Sequence, residues 1–199
     1  FGSRSDTNSY ALGWYDTHIR KDGTYLDLAL RLHRLTNKLI AHDGISGHGD
    51  NTGLSFGAEY GYKKQLGHGW FVEPQVQGTL GWLSGALWTM EDGVTVDEQD
   101  IRSAVGRVGF KAGYEGRRSQ VFLKANWYHE FGGSGQVHLS DEEGDLFLNR
   151  DYGDTWFEYG MGMSAQIGSA TQFYADAERS SGSRFRKDWS WDVGIRWNF

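Results

Sequence analysis

The last stretch of the chain, Asp188 to Phe199 (DWSWDVGIRWNF), constrains its fold more than any other. Trp189, Trp191, Val193, Ile195, Trp197 and Phe199 fall on one side of an extended backbone, and Asp188, Ser190, Asp192, Gly194, Arg196 and Asn198 on the other. Unbroken period-two alternation marks a strand. One face carries tryptophans and a phenylalanine without a charge, while the opposite face carries Arg196, two aspartates and a glycine. A strand of a water-soluble sandwich also has a wet and a dry face. Rings gathered towards both ends of a strand are instead what the two interfaces of a bilayer favour. The stretch therefore predicts a transmembrane strand of an all-β, antiparallel, up-and-down outer-membrane barrel.

The same alternation recurs upstream, with strand starts predicted near residues 9, 25, 53, 70, 102, 120, 156, 171 and 187, nine in all. The clearest internal one sets Leu26, Leu28, Leu30 and Leu32 against Asp27, Ala29, Arg31 and His33. Another is bracketed by Trp70 and Trp82, a spacing close to the roughly 9–11 residues a tilted strand needs to cross the apolar layer. Pro74 inside it lacks an N–H and predicts a bulge or a locally unpaired position. Twenty-nine glycines and a single proline suit many strands. The mean hydropathy of -0.60 does not argue against a membrane, because a barrel strand shows lipid only half of its side chains. Absence of cysteine removes disulfides and thiolate metal sites. A net charge of -6 argues against a nucleic-acid partner.

Predicted connections alternate in length: short near 18–24, 64–69, 115–119 and 168–170, long near 36–51, 84–100 and 132–154, and medium near 179–186. Short periplasmic turns and long extracellular loops produce that pattern, with the C-terminus periplasmic. Alternation assigns Leu26, Leu28, Leu30, Trp70, Trp82, Phe110, Trp127, Trp191 and Ile195 to the lipid face. Asp27, Arg31, Glu59, Glu73, Gln75, Arg107, Lys111, Lys124, Glu130, Glu158, Asp176 and Arg196 are assigned to the lumen, where ionic groups avoid the cost of hydrocarbon. These charges either line a channel or pair across strands to hydrate the interior. Inward glycines such as Gly57, Gly61, Gly109, Gly113, Gly160, Gly162 and Gly194 either leave room for a threaded segment or relieve curvature. Bacterial single-chain barrels normally have an even number of strands, so nine with a periplasmic C-terminus predicts an odd number upstream. Phe1 is read as an interior point of a longer precursor.

Two resemblances sharpen this. Asp192, Gly194, Trp197 and Phe199, in the run Asp192-Val193-Gly194-Ile195-Arg196-Trp197-Asn198-Phe199, resemble the terminal signal by which the barrel-assembly machinery of Gram-negative bacteria recognises outer-membrane proteins. Tyr25-Leu26-Asp27, Trp70-Phe71-Val72-Glu73-Pro74-Gln75, Arg107-Val108-Gly109, Tyr128-His129-Glu130-Phe131 and the terminal run, in that order over residues 1–199, resemble the translocator β-barrel domain of type V autotransporters. The resemblance implies a barrel of twelve strands, of which the C-terminal portion is present. It implies a linker helix in the lumen, a secreted passenger, a surface anchoring role often tied to virulence, and lipid and lipopolysaccharide as neighbours. Some members cleave their own linker with lumen-facing acids, a role for which Glu73, Glu130 or Asp176 would be available. No cofactor is implied.

An outer-membrane protease or acyltransferase is the alternative reading, with rim residues His42, Asp43, Asp151 and Asp154 as its available acids and base; they follow no recognisable motif spacing. The histidines show no metal-ligand spacing, and Asp141-Glu142-Glu143-Gly144-Asp145 lacks the calcium-loop pattern. That acidic run is read as a solvated loop face, with cation bridging to lipopolysaccharide as a further role.

Overall fold

The computed structural model describes residues 3–42, 44–182 and 186–197. Asp43, Asn198 and Phe199 lie outside them, so the enzyme reading's Asp43 and the last aromatic of the terminal signal have no structural description. In chain order the elements are β1 (Arg4–Ile19), β2 (Thr24–Ile40), β3 (Ser46–Tyr62), β4 (Lys64–Gly67), β5 (Trp70–Leu83), β6 (Ala86–Thr89), β7 (Thr95–Glu98), β8 (Ile101–Glu115), β9 (Ser119–Glu130), β10 (Ser134–Ser140), β11 (Asp145–Asp151), β12 (Thr155–Gln166), β13 (Thr171–Gly182) and β14 (Lys187–Trp197).

The long strands form one antiparallel sheet in the order β1-β2-β3-β5-β8-β9-β12-β13-β14, with β4 also on β5. It curves into a half-barrel. Each long strand pairs antiparallel with the next long strand of the chain. At the first turn the Asp22 carboxylate accepts from the Thr24 amide (2.9 Å) and hydroxyl (2.7 Å), and Gly23 takes φ 92°. At the β4–β5 turn, Gly67, His68 and Gly69 all have positive φ, which the flanking glycines adopt without a Cβ clash.

β3 and β4 are two pieces of one strand. Their ladders with β5 are in register, Gly61 opposite Gln75 and Lys64 opposite Val72, but pairing lapses between them, opposite Pro74. The Lys63 amide turns instead to the Gly23 carbonyl (2.8 Å). On its other side β5 pairs with β8 without a break, Pro74 facing Phe110. Pro74 thus marks an unpaired position rather than a bulge, because a proline has no N–H to give that ladder.

Four predicted boundaries need correction. The stretch near 36–51 is not a long loop, since β2 and β3 stay paired from Thr24 opposite Tyr62 to Ile40 opposite Ser46. Polar cross-strand pairs extend the ladder: Arg34 reaches Asp50 (2.8 Å), and Asn37 reaches Asn51 (2.7 Å). β1 follows, Arg4 pairing with Ile40, so it starts before residue 9. Nor are 84–100 and 132–154 irregular, for they supply a separate four-stranded sheet in the order β11-β10-β7-β6.

Candidate functional site

The two faces of the large sheet are chemically opposite. One row of directly paired residues reads Trp14, Leu30, Phe56, Leu80 and Ala104 across β1, β2, β3, β5 and β8. These rings and aliphatic chains are exposed: Trp70 is 57% accessible, Leu80 61%, Phe110 48%, Trp127 56%, Trp191 73% and Ile195 50%. Leu26, Leu30 and Trp82 are exposed as well, and Leu28 is half-buried. The opposite face contains a row of Tyr25, Gly61, Gln75, Gly109, Asn126, Glu158 and Ser180. Among the described residues the buried hydrophobics are only Phe71, Val96 and Ala177, whereas Glu73, Asn126, Glu130 and Glu158 are all buried. A water-soluble fold sorts its side chains the other way.

The ionic residues of the inner face are organised in clusters. Glu59 receives the Arg107 guanidinium at 2.7 Å, and Glu73 receives Lys111 at 3.1 Å. Between them the Tyr25 hydroxyl lies 2.9 Å from Glu59 and 3.0 Å from Glu73, and accepts from Gln75 Nε2 at 2.7 Å. A single O–H serves one carboxylate at a time, so Tyr25 ties the two ion pairs into one unit across β2, β3, β5 and β8. Tyr25 was not among the residues assigned to the lumen from the sequence, because its ring hid its role. Its cross-strand partner Gly61 was the available signal: a Cβ there would lie 2.3 Å from the tyrosine ring.

Lys111 and Lys124 sit directly opposite one another on β8 and β9. They do not repel unanswered, because each is drawn to separate carboxylates. Lys124 contacts Asp176 and, at 2.8 Å, Glu178, which also takes Lys187 at 2.7 Å. Glu158 accepts from Asn126 Nδ2 at 3.2 Å. Glu130, towards the end nearer the four-stranded sheet, binds the Ser103 hydroxyl and the Ala104 amide (2.7 Å). Arg31 and Arg196 are exposed, whereas Asp27 is half-buried. Three atoms of this face, Asp27 Oδ1, Arg107 Nε and Ser180 Oγ, are buried with no hydrogen-bond partner among the described residues.

The inward glycines are corrected in part. The space at Gly61 is filled by Tyr25, and at Gly194 a Cβ would lie 2.2 Å from Tyr174 Oη. At Gly113 and Gly160 it would lie 2.2 Å from the Val121 carbonyl oxygen and 2.4 Å from that of Ala177, so backbone proximity is what glycine permits there. Gly57 stays open, its nearest neighbour being 3.6 Å away. The terminal residues Asp192, Gly194 and Trp197 lie on β14, facing Asp176, Tyr174 and Thr171 of β13.

The four-stranded sheet meets one end of this face. Trp88 of β6 lies over Gly47 and Gly49 of β3, where a Cβ would be 2.1 Å and 2.8 Å from the indole. Ser46 Oγ donates to Glu91 at 3.0 Å. The acidic run is the β10–β11 turn, in which Asp141 Oδ1 accepts from the Glu143 amide at 2.8 Å and the Gly144 amide at 2.9 Å. Asp145 pairs with His138 at 2.9 Å, and that contact, then Ser140, holds its carboxyl below the ordinary value. His42 lies in the β2–β3 connection, Asp151 at the end of β11 and Asp154 just before β12. Asp151 and Asp154 accept from the nearby Gly153 and Thr155 amides. Among the described residues no group of three or more His, Asp or Glu side chains is gathered for a metal ion.

Comparison with known proteins agrees with this geometry. The family described as autotransporter beta-domain matches residues 1–178. The pertactin autotransporter of Bordetella parapertussis is 30% identical over 97% of the chain and 22% of its own length. The BrkA autotransporter of Bordetella pertussis is 28% identical over 94% of the chain and 19% of its own length. The chain thus spans about a fifth of these relatives. The crystal structure of the BrkA beta domain shares the fold, with a TM-score of 0.73 at 24% identity, covering 98% of this chain and 75% of that one. An inside-out half-barrel with a paired ionic face, matched by this family from Phe1 to Glu178, has one classification: the chain belongs to the autotransporter beta-domain family.

Proposed function

We propose that these strands are the C-terminal nine of a twelve-stranded outer-membrane barrel that anchors and translocates an N-terminal passenger in type V secretion. The observation that carries the reading is the sorting of the sheet, with exposed rings on one face and paired, buried ions on the other. Only a wall between hydrocarbon and water stabilises both faces at once. Nine strands are three-quarters of the twelve that the resemblance implies, in line with the 75% of the BrkA beta domain that the chain covers.

In this reading the aromatic face contacts lipid and lipopolysaccharide. The Tyr25–Glu59–Glu73 unit, with the unsatisfied atoms of Asp27 and Arg107, faces a linker helix and the passing passenger. The C-terminus is periplasmic and the four-stranded sheet extracellular. Asp192, Gly194, Trp197 and Phe199 present β14 to the barrel-assembly machinery as an edge that must be paired before closure. The domain acts by holding and passing a chain rather than by catalysis.

The test is the complete precursor in cells, with an epitope inserted at Glu142–Glu143. Expected are heat-modifiable migration in detergent extracts, epitope exposure on intact cells, and loss of both when Phe199 is deleted. Extraction without detergent, or an epitope reached only after the outer membrane is permeabilised, overturns the reading.

A further inference from the structure

A furrow of about 640 Å³ crosses the aromatic face of the large sheet from β5 to β14. It runs along one register row, in which Lys64 of β4 and then Val72, Ala112, Leu123, Met161, Ala177 and Trp191 stand opposite one another in turn. Two aromatic pairs wall it: Trp70 lies edge-on to Tyr114 with ring centroids 5.7 Å apart, and Trp189 stacks on Trp191 at 6.1 Å. Between the pairs the floor is low, because Ala112, Ala175 and Ala177 put methyl groups where their neighbours carry longer chains. Ala177 is buried although Met161 and Trp191 beside it are exposed. Met161 and Met163 add flexible thioethers that adapt to the shape of an apolar occupant.

One end of the row is cationic. Lys64 is exposed there, and the β8–β9 turn alongside presents Arg117 and Arg118, both exposed. The acid of that turn does not answer them, since Glu115 is taken by Lys63 at 2.9 Å and by Gln65 at 2.8 Å. Among the described residues Lys64, Arg117 and Arg118 have no ion-pair partner. Unanswered cations beside an apolar slot match a molecule with an anionic head and a hydrocarbon tail. Lysine and arginine bind phosphate oxygens, arginine through two N–H groups at once, and the lysine stem lies along apolar surface while its ammonium reaches the interface. The β8–β9 turn is at the opposite end of these strands from the four-stranded sheet, which is inserted between β5 and β8 and between β9 and β12. In the translocator reading that end is periplasmic, so the head belongs to the inner leaflet, away from lipopolysaccharide.

We infer that the furrow holds one anionic glycerophospholipid of the inner leaflet, with its phosphate on Lys64, Arg117 and Arg118 and an acyl chain laid over Ala112 and Ala177 between the two aromatic pairs. The inference rests on the translocator reading above and adds a fixed lipid site to a face otherwise bathed by exchanging lipid. Because the walls come from β5 and β8 on one side and β14 on the other, the site is complete only when the strands between them are paired.

The experiment takes the complete precursor, extracted in a mild detergent, into micelles doped with equal amounts of phosphatidylglycerol and phosphatidylethanolamine of identical acyl chains, and weighs the intact complexes by native mass spectrometry. Heat-modifiable migration reports folding of each variant. The expected result is one retained phosphatidylglycerol per barrel, favoured several-fold over phosphatidylethanolamine. Lys64→Gln with Arg117→Gln and Arg118→Gln removes the preference. Ala175→Leu or, on another strand, Ala112→Leu raises the floor and lowers retention of both lipids several-fold, whereas Val108→Leu, on the same face outside the furrow, leaves retention unchanged. Equal retention of the two lipids, retention indifferent to the leucine variants in a heat-modifiable barrel, or displacement of phosphatidylglycerol by added lipopolysaccharide overturns the inference and leaves the translocator reading standing. Extraction of the precursor without detergent overturns both.

Discussion

The two sheets solve the same backbone problem in different solvents. In the large sheet every lateral step from β1 to β14 carries a ladder, and side-chain polarity follows the face. In the four-stranded sheet β11 is exposed along its whole length, with Leu146 at 53% and Phe147 at 56%, and apolar and polar residues mix on each strand. Hydrocarbon satisfies no peptide group and rejects ions, so a wall within it must pair and sort every residue. Water satisfies both, and so leaves the four-stranded sheet free of that sorting.

That contrast can be tested from its strongest point downward. Glu73→Ala strips Lys111 and Tyr25 of their shared carboxylate on a buried face. The expected loss is about 3 kcal/mol or more in urea unfolding of the folded barrel, the range for breaking a buried pair. Arg34→Ala removes the exposed pair with Asp50, and should cost under about 1 kcal/mol. Equal effects would erase the distinction between the two environments.

Next in size, Leu123→Arg puts a charge where the side chain is 64% exposed on the aromatic face. A cost of about 2–4 kcal/mol is expected in lipid near the midplane. Leu146→Arg on the four-stranded sheet should change stability by less than about 0.5 kcal/mol, and a similar cost at both sites would argue that both face water. Gly47→Leu collides with the Trp88 ring, and overpacking of this kind costs about 1–3 kcal/mol. Its effect should appear as protease cleavage within 84–100 while heat-modifiable migration is unchanged.

The smallest test concerns Asp145, whose carboxyl is lowered from its ordinary value of 3.8 by the hydrogen bond from His138. A depressed native pKa means that the contact's contribution is full above 3.8 and fades as pH falls through the native value. An NMR titration should place Asp145 below 3.8, and His138→Gln should return it towards that value.

The strands of the wall were legible because lipid enforces alternation. β5 and β14 begin where the pattern placed them, at Trp70 and Lys187. The strands of the four-stranded sheet were not, since β6 and β7 have four residues each and water imposes no sorting on them. Glu91, Asp92, Asp97, Glu98 and Asp100 read as loop residues; Glu98 in fact ends β7, and Asp100 accepts from Trp82 Nε1 at 3.0 Å. Which inward ions pair with which was equally hidden. Lys124 reaches Asp176 and Glu178 across the intervening β12, a distance in space that spacing along one strand does not encode.

Rings seated on glycines have a consequence for how the strands find one another. A slip by one residue would turn leucines towards water and be rejected on that ground, but a slip by two keeps every face correct. In the last hairpin such a slip would move the Tyr174 ring from Gly194 onto Asp192 or Arg196, and in the β2–β3 hairpin it would move Tyr25 from Gly61 onto Glu59 or Lys63. Neither neighbour has a vacancy for an aromatic ring. The missing Cβ therefore acts as a keyway, admitting the one even-numbered alignment that polarity alone leaves ambiguous.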